Sequence, residues 1–277
     1  MNALYFKEVI LMKKFVFLFA AAILILTSIS AFAGDGTKDS PLKIGVTEGP
    51  HAEILEFLQP LAEKEGVFYK LLVFDNYNIP NEALNAGDLD ANAFQHRPFL
   101  DAQIKAHGYK IVPIHDNILC PIGLFSKKVK NLSDLQEGAS IAIPNDPSNG
   151  GRSLLLLQKL GLVVLKDGVG ITPSPLDIVE NSKKLKIVEL EAAQTPRALD
   201  DVDAAFVNDN YAIPAGLKLS RDAIAAEGTD SPYTNVFAVR EEDKEKPVFQ
   251  KLIALYENED VKRFIEKKYD GAIIPAW

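Results

Sequence analysis

Arg152 follows a turn-rich loop, Pro144-Asn145-Asp146-Pro147-Ser148-Asn149-Gly150-Gly151, and precedes Ser153 and a run of leucines from Leu154 to Leu157. A guanidinium is a planar fork of donors that fits a carboxylate. The prolines and glycines read as a turn, with Ser148 or Asn149 capping the helix that follows. Free N–H groups and the positive end of that helix would then face whatever sits in the loop. The glycines would let it come close to the backbone. The pattern suits a small anion. An ordinary capped helix with a solvated arginine fits the same residues, and the loop alone does not separate the two.

Patterns that support catalysis are missing from the rest of the chain. There is no Gly-x-Ser-x-Gly and no His-Glu-x-x-His, and Gly150 to Ser153 lacks the lysine of a phosphate-binding loop. His51, His96, His107 and His115 have no metal-ligand spacing. No metal and no cofactor is therefore expected. His51 reads as a surface residue near a helix start. Asp200, Asp201 and Asp203 read as a solvated turn. An exported enzyme using His96 remains the competing class; a receptor would bind saturably without turnover.

The chain has 277 residues, 47% of them hydrophobic, and a formal net charge of -8. Length alone suggests one or two domains. The acidic balance argues against a nucleic-acid partner. The single cysteine, Cys120, excludes an intrachain disulfide and lies in an apolar run, as a buried thiol does. Lys13-Lys14, the apolar run Phe15 to Leu26 and the small-x-small triplet Ala31-Phe32-Ala33 read as a secretory leader over residues 1–33. That run is short for a membrane span. The protein is expected to be exported.

The elements that must position Arg152 and its neighbours alternate. Leu42 to Val46, Val67 to Phe74 and Leu89 to Phe94 read as strands. Helices are expected at His51 to Glu65, where Pro60 predicts a kink or a late start, at Asn81 to Ala86, and from Pro98 to His107. Tyr109 to Ile114 and Leu119 to Phe125 read as two further strands. A short helix at Leu132 to Gln136 follows. A second series comprises Ala139 to Ile143, Leu185 to Leu190, Asp203 to Val207 and Asn235 to Val239, closed by helices at Lys246 to Glu257 and Asp260 to Lys268. This is the rhythm of parallel α/β sheets, which bind ligands at the carboxyl ends of their strands. Tyr77, Phe94 and His96 fall at or beyond such ends, and so do Asn208 to Tyr211. Phe74 reads as a core aromatic. Two lobes are expected: residues 42–126 completed by 232–277, and residues 127–231. The chain would leave the first lobe near Ser126 and return near Pro232, making a hinge with the ligand between the lobes.

Long motifs in a fixed order carry a resemblance: Asn81-Glu82-Ala83-Leu84, Gly87 through His96, Pro144 through Pro147, Gly151 through Lys159, and Ser231-Pro232-Tyr233-Thr234-Asn235. From Leu42 to Trp277 the chain resembles the NlpA/MetQ family of methionine-binding proteins, the extracytoplasmic receptors of methionine ABC importers. The resemblance implies a two-lobed periplasmic-binding-protein fold of type II, hinged and closing on one amino acid. By the same resemblance, Arg152 matches the arginine for the ligand carboxylate, Asn208 and Asn235 the polar partners of the head group, and Tyr77, Phe94 and His96 the pocket around the thioether. It implies L-methionine and a membrane permease as partners of a monomeric receptor; close relatives that take methionine-containing dipeptides supply the alternative cargo. Most members of the family are anchored through a lipid-bearing cysteine at the leader junction. Here Asp35 follows Phe32-Ala33-Gly34, so cleavage after Ala33 without lipid anchoring is expected.

Overall fold

A computed structural model of the chain describes residues 34–277; the leader expected over residues 1–33 lies outside the described residues. The first sheet is built on β1 (Leu42–Thr47), β2 (Tyr69–Phe74), β3 (Ala91–His96), β4 (Ile111–Leu119), β12 (Thr234–Arg240) and β13 (Ile274–Pro275), in the spatial order β13-β4-β12-β3-β1-β2. β1 runs parallel to both β2 and β3, while β12 pairs antiparallel with β3 and β4. Every residue of β3 is buried, as a central strand covered on both faces requires. The helices α1 (Pro50–Lys64), α2 (Ile79–Ala86), α3 (Arg97–His107) and the closing α8 (Pro247–Tyr256) and α9 (Glu259–Tyr269) belong to this half of the chain. Ile44, Leu55, Leu58, Phe249, Leu252 and Ile265 pack one core between the sheet, α1 and the last two helices.

The second sheet has the order β11-β5-β10-β6-β9. Its members are β5 (Ile122–Phe125), β6 (Ser140–Pro144), β9 (Lys186–Leu190), β10 (Ala204–Asn208) and β11 (Ala223–Ala226). The short strands β7 (Val164–Leu165) and β8 (Ile178–Glu180) form a separate ribbon. Its helices are α4 (Pro147–Lys159), α5 (Thr195–Ala198), α6 (Asp209–Ala212) and α7 (Leu219–Asp222). Leu154 and Leu157 of the leucine run enter a separate core with Ile141, Ile143 and Phe206. Two main sheets, each packed on its own hydrophobic clusters, make the expected two-lobed α/β fold.

The boundaries differ from the sequence reading in one place that matters. The crossing was expected near Ser126, with Leu119 to Phe125 as one strand. Leu119 instead ends β4 in the first sheet, while Ile122–Phe125 pairs with β10 in the second. The chain changes sheet at Cys120-Pro121, where proline has no N–H to continue a ladder. It returns between Ala226 and Thr234. Pro60 lies inside α1, on its exposed face, and does not delay the helix start. Leu132 to Gln136 is reduced to a 3₁₀ turn at Leu132–Asp134.

Gly150 and Gly151 serve the fold and not the approach of a ligand. A Cβ on Gly150 would stand 2.7 Å from the Pro144 carbonyl oxygen. One on Gly151 would stand 2.7 Å from Thr172 Cα and 2.9 Å from the Ile171 carbonyl oxygen, both backbone atoms that cannot swing aside. Gly151→Ala should therefore destabilise the protein by about 1–3 kcal/mol, the usual cost of overpacking. Urea denaturation of the two proteins measures it, and an unchanged midpoint would mean that the 167–174 loop shifts freely.

Candidate functional site

Helix α4 starts at Pro147, whose missing N–H costs nothing at a first turn. Its cap is Asp146, where Ser148 or Asn149 was expected. The Asp146 carboxylate accepts the backbone N–H groups of Ser148 at 3.2 Å and Asn149 at 2.9 Å, and the Asn149 side-chain amide at 3.1 and 3.0 Å. The helix end thus holds a carboxylate of its own. The expected anion seat at that end is already filled, and only the arginine one turn further on remains available.

Arg152 is buried, and so are Phe94, His96, Asn208 and Asn235. Together with the half-buried Tyr77 they line a single cavity between the two sheets. Topology brings them there. Phe94 and His96 stand at the carboxyl end of β3 and Asn208 at that of β10. Asn235 lies opposite His96 in the β12–β3 ladder. Phe74, read as a core aromatic, packs outside the cavity against Leu84 and Leu89.

One end of the cavity is aromatic. The Tyr77 ring lies 5.9 Å from Phe94 and 5.7 Å from Phe99, centroid to centroid, and the Phe94–Phe99 pair is edge-to-face at 6.0 Å. The Tyr77 hydroxyl donates to Asn210 Oδ1 at 2.6 Å, across the cleft. Burial holds that phenol protonated, well above its ordinary range.

His96 is locked at both nitrogens. Nδ1 accepts the Phe99 backbone N–H at 3.1 Å, capping α3, so the proton resides on Nε2, which donates to Asn149 Oδ1 at 3.0 Å. The same Asn149 oxygen accepts Asn208 Nδ2 at 2.8 Å. Burial, and then the nearby Arg152 charge, lower the His96 pKa to about 3. A neutral imidazole with neither nitrogen free is a wall and a strut, not a base, which weakens the reading of an exported enzyme using His96.

The polar end has groups left open. Arg152 Nη1 makes no hydrogen bond among the described residues, although Nε and Nη2 do. Asn208 Oδ1 is buried without a partner. Asn235 makes no side-chain hydrogen bond within 3.5 Å among the described residues, and it faces His51. A cation edge and carbonyl-type acceptors side by side can take a carboxylate and an ammonium; the aromatic end can take an apolar chain.

Phe99 of the aromatic end and three polar contributors were not read from the sequence. His51, expected on the surface, is buried. Its Nδ1 pairs with Thr47 Oγ1 at 3.0 Å, and its Nε2 has no partner. The strand-end rule applied to β1 would have found it. Asn149 and Asn210 lay within stretches already singled out, one taken as a cap and the other as one of four polar residues. Among the described residues no group of three or more metal-ligating side chains is close enough to hold an ion, and no helix is long and apolar enough to cross a membrane.

Comparison with known proteins adds a family. The family model described as NlpA lipoprotein matches residues 42–277. A relative from Salmonella typhimurium named D-methionine-binding lipoprotein MetQ is 47% identical over 251 residues, covering 89% of this chain and 93% of the relative. A solved nutrient-binding protein from Burkholderia cenocepacia bound to methionine is 50% identical with a TM-score of 0.83, covering 85% of this chain and all of that one. A periplasmic substrate-binding protein of an ABC transporter from Coxiella burnetii is 48% identical with a TM-score of 0.82, over 85% of this chain and 100% of that one.

The buried titrating groups make stability depend on pH in opposite directions. His51 is held down to about 4 by burial, so its unfolded form takes up a proton below about 6.5 while the folded form does not. Stability is then lost as pH falls. Asp209 is pushed up to about 7 by burial, against the pull of Arg152, so its folded form binds the proton first and stability is gained as pH falls. Between pH 6 and 5 each contributes a slope of about 1 kcal/mol per pH unit, with opposite signs. Relative to the unmodified protein, His51→Gln should show a shallower acid loss and Asp209→Asn a steeper one. Urea denaturation at the two pH values checks this; equal slopes in all three proteins would overturn it.

Proposed function

The chain belongs to the NlpA lipoprotein family, and from that premise we propose that it is the substrate-binding protein of an ABC importer and that its cargo is L-methionine. The carrying observation is the division of one cavity into a polar end with unpaired groups and an aromatic end. The ligand's carboxylate would sit on Arg152 Nη1. Its ammonium would face Asn208 Oδ1 and the Asn235 side chain, and its thioether would lie among Tyr77, Phe94 and Phe99 beside the neutral His96. A zwitterion taken out of water needs both polar partners, since an unpaired buried charge is costly. Sulfur against aromatic rings is a favourable contact for the side chain. The Salmonella relative is named for D-methionine and the Burkholderia protein holds methionine, which supports methionine as the cargo without choosing its hand. Residues 42–119 completed by 234–277 would close on residues 122–226 about the two crossings. The permease of the importer would receive the closed form, and the receptor would act as a monomer without turnover.

Calorimetry on protein unfolded and refolded to strip bound ligand tests this. L-methionine should bind one to one and be recovered unchanged, with D-methionine and a methionine-containing dipeptide titrated in parallel. Arg152→Lys should weaken binding by roughly 30-fold or more, because an ammonium cannot keep both edges of the fork and loss of a buried charge partner costs about 2–5 kcal/mol. Methionine methyl ester should bind poorly. No heat with methionine would sink the assignment of cargo; equal affinity for Arg152→Lys would sink the role of Arg152.

The relatives carry the name lipoprotein, whereas in this chain Asp35, which has no thiol, follows Phe32-Ala33-Gly34. We expect export with cleavage after Ala33 and no lipid. Intact mass of the secreted protein is the check, and a diacylglycerol adduct would count against it.

A further inference from the structure

Arg152 is held by groups that all belong to the two crossings between the sheets. Nη2 donates to the Cys120 carbonyl at 2.9 Å, in the outgoing crossing. Nε lies 3.0 Å from both carboxylate oxygens of Glu227, and Nη2 also donates to Glu227; this residue opens the return crossing. The guanidinium carbon stands 4.4 Å from the ring centroid of Tyr233, which closes it. The two crossings are themselves tied, since the Glu227 backbone N–H donates to the Ile122 carbonyl at 3.0 Å. The Arg152 side chain is 1% exposed and that of Glu227 14%, so the pair is effectively dry. Glu227 does not line the cavity; it stands behind the arginine.

From this arrangement we propose that Glu227 is a positioning and specificity residue: it turns Nη1 of Arg152 toward the cavity and, by cancelling the buried positive charge, makes the site select zwitterions over anions. The inference rests on the methionine reading of the same cavity. A lone buried guanidinium would attract any carboxylate. With Glu227 on its far edge, the pair is neutral before a ligand arrives. A ligand carboxylate on Nη1 then meets a second carboxylate across one guanidinium, at a separation where like charges in a dry site repel strongly. An ammonium on the ligand's own α-carbon offsets that repulsion, and Asn208 Oδ1 is an unpaired acceptor for it. An anion with the same side chain but no ammonium brings nothing to offset it. Asp209, the other carboxylate that senses Arg152, acts in the same direction where it is ionised.

The test compares L-methionine with 4-(methylthio)butanoate, the same molecule without the amino group, by calorimetry at one fixed pH on refolded protein. The unmodified protein should prefer methionine by about 100-fold or more. Glu227→Gln keeps the shape and an acceptor for Nε but removes the charge, and should cut that preference at least tenfold, chiefly by tighter binding of the anion. Glu227→Asp keeps the charge but shortens the reach; it should weaken both ligands while leaving the preference near that of the unmodified protein. A purely structural role would lower both affinities in Glu227→Gln and leave the ratio unmoved, which would overturn the proposal. Equal binding of the two ligands by the unmodified protein would overturn it without any variant, should Glu227→Gln fail to fold. Methionine binding that survives with an unmoved ratio would leave the cargo assignment standing; absence of methionine binding by the unmodified protein would remove both.

Discussion

A guanidinium with almost no exposure must find its partners inside the protein, and that requirement organises the region between the lobes. Arg152 comes from a helix of the second lobe, yet every group that satisfies it belongs to the chain segments joining that lobe to the first: the Cys120 carbonyl, the Glu227 carboxylate and the Tyr233 ring. The cation therefore pins the crossings as well as facing the cavity. A group that contacted its remaining edge would touch the same guanidinium that ties the two crossings, with no intervening chain of side chains.

A second link spans the cleft through neutral groups. The Asp146 carboxylate holds the Asn149 amide, and the Asn149 oxygen takes both His96 Nε2 and Asn208 Nδ2. Each member orients the next, so His96 is held with both ring nitrogens occupied and its ring nearly perpendicular to Phe99 of the aromatic end. The Tyr77–Asn210 bond makes a third connection of the same kind. Such a network has value only when complete, because a buried polar group left over is costly. Two of the buried polar atoms left over, Asn208 Oδ1 and His51 Nε2, belong to residues that line the cavity, where a ligand can complete them.

The division of labour at the loop before α4 shows how far residue types carry. The loop, its helix and the arginine were all legible, since proline, glycine and short polar residues have strong local preferences. Which residue capped the helix was not. Asp146, Ser148 and Asn149 are all competent caps, and the choice fell to Asp146 because Pro147 takes the first helical position. The cap then filled the helix end with a carboxylate and changed the chemistry of the loop, from a seat for an anion to one wall of a cleft with a single cation beside it.

Alone, the sequence determined what depends on local periodicity and composition. These are the alternation of strands and helices, the two series that become two sheets, and the strand-end positions of Tyr77, Phe94, His96 and Asn208. Tertiary structure decided what depends on pairing. Leu119 to Phe125 is one apolar run by periodicity, and only the partners of Leu119 and Ile122 in different sheets reveal a crossing at Cys120-Pro121. His51 reads as a surface histidine because one polar residue at a helix start carries no sign of what covers it. It is buried by the meeting of Thr47, Asn210 and Asn235, which are far apart in the chain. Glu227 carries no local signal at all. One carboxylate in a polar stretch becomes the partner of a buried arginine 75 residues away only when the return crossing folds against the outgoing one, since electrostatic pairing in a dry interior follows distance in space and not separation in sequence.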